Sequence, residues 1–358
     1  MAVTSWQIAA MLVSVAALSM LLTWAAIGYA RRRQLLDLPG RRRSHRQATP
    51  RGGGIGIAVS LILAGLTCWP DPQQALCLAG AIALVGGVGW VDDHRGLAAS
   101  WRLLAHAVAV ALLLVAFGGD FAAHVASWSP GAIDATGALI GLGLAIAVGL
   151  WLVWSINLHN FMDGIDGILA MQAVFVFALA VVAFAHAGTA RDALASAACL
   201  AATCGFLPFN FPRARVFMGD VGSGVLGLLL GLVMLGLSLH PGLAATTGVI
   251  AGSAFIIDAT CTLVSRILAG RRWYSAHREH LYQWLFRSGF SHARVVAFYM
   301  GWNMLIVVPT LLWINRAGGQ GSQVPSATAL FALGVFTWVC GKQWCLRHAV
   351  METRHEAA

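Results

Sequence analysis

Along the chain, long apolar runs alternate with short polar segments, and the apolar runs are nearly uniform in size. Each covers about 18 to 25 residues, enough for a helix to cross roughly 30 Å of hydrocarbon. The pattern predicts eleven spans: 6–30, 53–70, 74–91, 101–118, 136–156, 168–187, 190–207, 222–239, 243–265, 293–314 and 325–345. None of them alternates polar and apolar with period two, so a membrane β-barrel is excluded. The expectation is an all-α, polytopic membrane protein, with residues 1–358 forming one domain. Inside lipid every backbone polar group has to find its partner within the protein, and a helix does so within itself.

Composition supports this reading. The chain is 59% hydrophobic and 10% charged, with mean hydropathy +0.75; a soluble domain carries about 25% charged residues. The first apolar run has no basic residue before it and Arg31, Arg32 and Arg33 after it. It is expected to be a signal anchor with its N-terminus outside. The inner segments would then be 31–52, 92–100, 157–167, 208–221, 266–292 and the C-terminal tail. These segments, with the adjoining span edges, hold 21 of the 23 Lys and Arg residues, and only Arg191 and Arg316 fall elsewhere. Such asymmetry is what the positive-inside rule requires. The pI near 9.8 thus reflects topology and attraction to anionic headgroups. A nucleic-acid partner is not indicated, because the Arg triplets at 31–33 and 41–43 simply flank a span. The seven cysteines form no metal pattern and read as small buried residues. Cys68 and Cys77 could meet near one membrane face, but a pairing cannot be read from spacing.

The polar residues within this frame are not scattered. Asp92, Asp93, Asp163, Asp166 and Asp220 all fall in the inner segments or at their helix edges. Ionisable groups beside hydrocarbon are costly and point to function. Carboxylates crowded on one side repel each other unless a cation or a basic ligand lies between them. With oxygen ligands and no Cys/His cage, that cation is expected to be Mg²⁺ or Mn²⁺. In "NLHNFMDGIDGI" (157–168) Asn160, Asp163 and Asp166 follow at i, i+3 and i+6, which on a helix keeps them within about 120° of arc. A polar loop with a capping Asp is the plainer alternative. Asp92 and Asp93 could likewise cap a helix or pair with Arg95. "NFPRARVFMGDVGSG" (210–224) is a Gly/Ser-rich turn leading into an apolar helix, a setting that suits phosphate. In "HREHLYQWL" (277–285), His277 and His280 sit beside Arg278. They lack the partners for zinc and fit better as cationic contacts for a diphosphate. His94, His106 and His159 read as interfacial histidines, and Asp258 as a structural partner inside the bundle.

Five motifs in order, "SHRQATPRGGG" (44–54), "VDD" (91–93), "NLHNFMDGIDG" (157–167), "FMGDVGSG" (217–224) and "HREHLYQWL", make the chain resemble the polyprenyl-phosphate N-acetylhexosamine-1-phosphate transferase superfamily. This is glycosyltransferase family 4, which includes the O-antigen initiators and the phospho-MurNAc-pentapeptide translocase. The resemblance covers residues 31–290. It implies transfer of an N-acetylhexosamine 1-phosphate from a UDP-sugar to undecaprenyl phosphate, with Mg²⁺ and release of UMP. It also implies roles. Asp220 and Asn160 match metal ligands, and Asp163 the central carboxylate. Asp166, Phe217 and Asn210 match the uracil pocket. His277, Arg278 and His280 match the diphosphate grip, and Asp92 and Asp93 the pair nearest the lipid phosphate. Arg51 belongs to the Thr49-Pro50-Arg51 core of the first loop motif and is expected among the substrate-binding residues.

Ala48 departs from the proline of many relatives. The histidine loop lacks the consecutive histidines of the peptidoglycan translocase and looks more like that of O-antigen initiators. The expected partners are a UDP-N-acetylhexosamine, undecaprenyl phosphate and membrane lipid, with a homodimer left open. The expected site faces the cytoplasm from a bacterial inner membrane. A transporter would instead show repeats or helices broken near the midplane. A CDP-alcohol phosphatidyltransferase would place further Asp and an Arg after "DGIDG", where this chain reads "ILAMQAVFVFALAVV".

Overall fold

The computed structural model describes residues 4–37, 48–128, 135–272, 277–316 and 320–355. The Arg triplet at 41–43 and the first four residues of the first loop motif lie outside these. The protein is a helical membrane bundle. Among the described residues, nine helices are long and apolar enough to cross a membrane. The elements are α1 (Ser5–Arg32), β1 (Leu36–Asp37), β2 (Thr49–Pro50), α2 (Ile55–Cys68), α3 (Pro72–Arg95), α4 (Ala99–Trp128), α5 (Ala135–Met162), α6 (Ile168–His186), α7 (Ala190–Asn210), α8 (Gly219–Leu239), α9 (Thr247–Ala251), α10 (Ser253–Leu268), α11 (Leu281–Arg287), α12 (His292–Trp302), α13 (Val308–Arg316) and α14 (Gln320–His355).

Two of the expected spans are shorter than the pattern suggested. Residues 53–70 hold only the 14-residue α2. Residues 243–265 are divided at Gly252 into α9 and α10, and α12 passes into α13 through a π-helical turn at Asn303–Val307. The two irregularities are linked. Buried Gln172 donates to the Ala251 carbonyl at 3.4 Å and accepts from Asn303 Nδ2 at 2.8 Å. Gln172 thus serves a carbonyl at the break and is itself held by the first residue of the π-turn. The all-α expectation also omitted a small antiparallel ladder, in which Leu36 pairs with Pro50 and Asp37 with Thr49.

At the centre lies α8, the most buried of the spanning helices, packed against α2, α3, α5, α6 and α9. Small residues let these backbones approach, which is how helices associate where lipid removes the hydrophobic drive. At Gly89 a Cβ would lie 2.5 Å from the Asp220 carbonyl, so α3 meets α8 backbone to backbone just before Asp92 and Asp93. At Gly248 a Cβ would overlap the Met234 carbonyl of α8. Gly248→Ala is therefore expected to force α8 and α9 apart and cost about 1–3 kcal/mol. Gly65→Ala, which meets open space, should leave stability unchanged or slightly raised. Thermal unfolding of the two variants in detergent, followed by tryptophan fluorescence, checks this.

Candidate active site

The polar segments converge at one end of the bundle, where α1, α3, α5, α7 and α10 finish and α2 and α8 begin. The first inner loop closes through the β1–β2 ladder. Arg51 leaves it beside Asp37, with Nη2 3.0 Å from Asp37 Oδ2. The following glycines then lie along the turn before α8. Phe217 N–H donates to Pro50 O at 2.8 Å, Gly53 N–H to Phe217 O at 3.0 Å, and Gly54 N–H to Met218 O at 2.9 Å. This brings "TPRGGG" and "FMGD" together as neighbours.

Gly219 has φ +74°, and a side chain there would overlap Asp93 Oδ2. The turn thereby lets Asp93 reach the start of α8, where its Oδ1 accepts from Asp220 N–H at 3.1 Å and its Oδ2 from Val221 N–H at 3.4 Å. Asp93 is an N-cap supplied from another helix, and its charge faces the positive end of the helix dipole. The plainer reading of the Asp pair as a cap thus holds, but for α8. Asp92 does not pair with Arg95. Its Oδ1 accepts from Leu97 N–H, and its Oδ2 lies 2.9 Å from Arg102 Nη1, which also approaches Asp220 Oδ2 at 3.4 Å. Gly96 (φ +67°) ends α3 and turns the chain so that the first turn of α4 returns over Asp92. Arg102 was not singled out in the sequence because this reversal, not spacing, places it.

Asn160, at the end of α5, donates Nδ2 to Asp220 Oδ1 and to Ser223 Oγ, both at 2.8 Å. Asp163 follows one turn later with no hydrogen-bond donor to its carboxylate among the described residues. Its pKa rises from 3.8 to about 7, first because burial penalises the charge and then because Asp220, Asp93 and Asp166 repel it.

These groups surround a cavity of about 340 Å³ lined by Asp37, Arg51, Asp93, Asn160, Asp163, Asn210, Phe217, Asp220, Ser223 and Arg278, with the backbone of 164–165 and 218–219. Eight of the expected site residues meet here: Arg51, Asp93, Asn160, Asp163, Asn210, Phe217, Asp220 and Arg278. Asp92, Asp166, His277 and His280 do not line it. Asp166 Oδ2 instead accepts from Ala214 N–H at 3.1 Å and lies 3.1 Å from His292 Nδ1, so it ties the "DGIDG" turn to the 211–215 loop and to α12. Asn210 also braces, accepting from Gly167 N–H at 3.0 Å and donating to Val216 O at 3.0 Å. His280 is buried and stacked on Tyr282. His277 has its pKa pushed down to about 4, chiefly by burial, with His280 and Arg266 adding to it. Both effects favour the neutral imidazole in the ligand-free protein. Glu279 is clasped by Arg266 and Arg271, which leaves Arg278 as the member of this motif that reaches the cavity.

The residues missed in the sequence are Asp37, Arg102, Ser223 and His292. Each owes its position to a turn or a helix crossing. His159 corrects a further expectation. It is buried in the bundle, with Nδ1 2.8 Å from Ser155 O, and is not interfacial.

The donor set can be tested against a divalent cation. Four carboxylates (Asp37, Asp93, Asp163, Asp220) line the cavity against two guanidinium groups (Arg51, Arg278), a surplus of acidic oxygens of the kind a hard divalent cation takes. Among the described residues, no three His, Cys, Asp or Glu side chains converge as a ready-made cage. Mg²⁺ commonly uses one or two protein carboxylates together with phosphate oxygens and water, and Asp220 is placed to supply one.

With this geometry established, comparison with known proteins decides the family. The model of glycosyl transferase family 4 matches residues 75–238. A phospho-N-acetylmuramoyl-pentapeptide-transferase from Synechococcus sp. (strain JA-3-3Ab) is 32% identical, over 80% of this chain and 85% of its own. The chain belongs to glycosyl transferase family 4. A decaprenyl-phosphate N-acetylglucosaminephosphotransferase from Mycolicibacterium smegmatis is 29% identical over 88% of this chain and 85% of its own. An undecaprenyl-phosphate alpha-N-acetylglucosaminyl 1-phosphate transferase from Escherichia coli O157:H7 is 26% identical over 78% and 77%. As a member of this family the protein is a multi-pass membrane phosphoglycosyltransferase, and the matched segment contains Asp93, Asn160, Asp163, Asp166 and Asp220.

The raised pKa of Asp163 has a consequence for stability. Between pH 3.8 and about 7 the folded state holds a proton that the unfolded state releases, so stability falls as pH rises through that window. Asp163→Asn should remove this loss. In metal-free protein its unfolding midpoint is expected to exceed the wild type's by several degrees at pH 8, with the two close at pH 4. Melting curves across that range, in the presence of a chelator, check it.

Proposed function

We propose that the protein transfers an N-acetylhexosamine 1-phosphate from a UDP-sugar to undecaprenyl phosphate and releases UMP. The observation that carries this reading is the cavity itself. Oxygen ligands, two arginines and one aromatic ring meet in it at one end of the helical bundle, which in this reading is where a soluble nucleotide and a lipid phosphate both arrive. The names of the relatives support the polyprenyl phosphate acceptor and the sugar phosphate.

In this reading Arg51 and Arg278 hold phosphate oxygens through charge-assisted hydrogen bonds, and the Phe217 ring supports the uracil. Asp220 and Asn160 would hold Mg²⁺, Asn160 by presenting its amide oxygen. When bound, the ion neutralises charge on the diphosphate and on departing UMP. An oxygen of the lipid phosphate attacks the sugar-bound phosphorus directly. A new P–O bond forms, the bond to the bridging oxygen breaks, and its electron pair leaves with UMP. Asp163, which no donor among the described residues occupies, accepts the proton if the lipid phosphate arrives as the monoanion. Asp93 holds the N-terminus of α8 in place, and Arg102 keeps Asp92 and Asp220 side by side. Positioning and charge neutralisation are the usual means of phosphoryl transfer.

The reading places the cavity on the cytoplasmic side of a bacterial inner membrane, with the N-terminus outside and the C-terminus inside. The short α2 and the α9–α10 pair then complete eleven spans. The step would begin O-antigen or a related surface polysaccharide, with GlcNAc or a deoxy-N-acetylhexosamine as the sugar.

UMP release by the purified protein, with undecaprenyl phosphate, Mg²⁺ and a panel of UDP-N-acetylhexosamines, tests the reaction. Release is expected to need both lipid and metal and to vanish in Asp220→Asn. Arg102→Gln should lower kcat/KM by about 10–100-fold, because two carboxylates lose their shared cation. No UMP from any donor, together with no binding of any UDP-sugar, would sink the reading.

A further inference from the structure

Immediately beyond Arg278 lies a dense polar network with no part yet in the chemistry. Asp258 of α10 is 2% exposed and accepts hydrogen bonds from four elements. Its Oδ1 receives Leu281 N–H at 2.7 Å, Trp338 Nε1–H of α14 at 2.9 Å and the Thr262 hydroxyl at 3.2 Å. Its Oδ2 receives the Tyr299 hydroxyl of α12 at 2.6 Å and Tyr282 N–H at 3.4 Å. Leu281 and Tyr282 are the first residues of α11, whose N–H groups have no partner inside the helix. Asp258 therefore caps α11 from another helix. A buried carboxylate is costly unless donors satisfy it, and an apolar residue would fill the same space at less cost. This much directional bonding orients something.

Two features show what is oriented. Arg278, which lines the cavity, stands three residues before α11. Tyr282 points the other way. Its hydroxyl donates to Phe161 O at 2.9 Å and accepts from Gln283 Nε2 at 3.0 Å. Phe161 lies between Asn160 and Asp163, in the last turn of α5, where carbonyls lack helical partners. Gly164 packs directly under the Tyr282 hydroxyl, and a Cβ there would overlap it. A strut thus runs from Asp258 through the start of α11 and the Tyr282 ring to the turn carrying Asn160 and Asp163. Asp258 and Tyr282 both lie past residue 238, where the match to the family model ends.

We propose that Asp258 and Tyr282 are positioning residues of the transfer centre. Asp258 fixes the segment that delivers Arg278, and Tyr282 fixes the turn that holds Asn160 and Asp163. This rests on the transfer reading above.

The test uses the full-length protein in detergent with Tyr282→Phe, which removes one oxygen, and Asp258→Asn. Tyr299→Phe, which leaves the carboxylate and four of its donors, stands in if Asp258→Asn does not fold. Tyr282→Phe should lower kcat for UMP release about tenfold or more at unchanged KM for the UDP-sugar. Its unfolding midpoint should stay near the wild type's. Asp258→Asn should raise that KM several-fold as well, with Tyr299→Phe moving it the same way by less. Hydrogen exchange read by mass spectrometry should quicken at residues 160–166 in Tyr282→Phe, and at both 160–166 and 277–282 in Asp258→Asn. A lower midpoint with kcat, KM and local exchange all unchanged would mean a purely structural role and overturn the proposal. If the wild type releases no UMP, the transfer reading fails separately. The exchange data then still decide the positioning claim, because unaltered exchange at 160–166 in Tyr282→Phe refutes it.

Discussion

The capping of α8 by a carboxylate from α3 is the interaction on which the site depends. Asp93 can reach the first amides of α8 only because Gly89 lets the two backbones touch and Gly219 turns with positive φ. Once α8 starts there, Asp220 falls one residue inside it. Ser223 and Asn160 then meet across the α5–α8 contact, and the Gly53 and Gly54 amides find the Phe217 and Met218 carbonyls. At the edge of hydrocarbon such bonds are strong and their loss is costly. The cap therefore holds four polar segments in one place.

Two buried aspartates show how environment divides one residue type into two roles. Asp258 is saturated by donors from the backbone, the Thr262 and Tyr299 hydroxyls and an indole. Asp163 receives none among the described residues; burial first, and then three other carboxylates, raise its pKa to about 7. The first is quiet and stabilises geometry. The second is costly in the resting protein and available to a proton or a positively charged ligand, the usual trade between stability and a reactive site.

The C-terminal helices extend this division. The family match ends at residue 238, yet Arg278 and Tyr282 reach back from beyond it, one into the cavity and one onto the turn behind it. In the motif "HREHLYQWL" Arg278 lines the cavity and the neighbouring polar residues pack behind it. Burial pushes the His277 pKa down, His280 is stacked and buried, and Glu279 is clasped by two arginines. A polar motif in a loop suggests contact with substrate, but whether each member turns inward or outward is set by the helices around it.

The sequence by itself determined the membrane class, the approximate spans, the family and most of the cavity. Hydrocarbon thickness dictates run length, and carboxylates beside lipid are too expensive to be incidental. Asp93, Asp163 and Asp220 were legible for that reason, and Asn160 by its spacing from Asp163. The tertiary structure decided which polar residues face the cavity and which brace it. Asp92 and Asp166 turned away to Arg102 and His292, while Asp37 and Ser223 turned in. It also shortened α2, broke α9 from α10 and assigned Asp93 to the start of α8. These outcomes rest on where backbones cross and which glycines let them touch. Such contacts join residues more than a hundred positions apart, and no local pattern of polar and apolar residues encodes them.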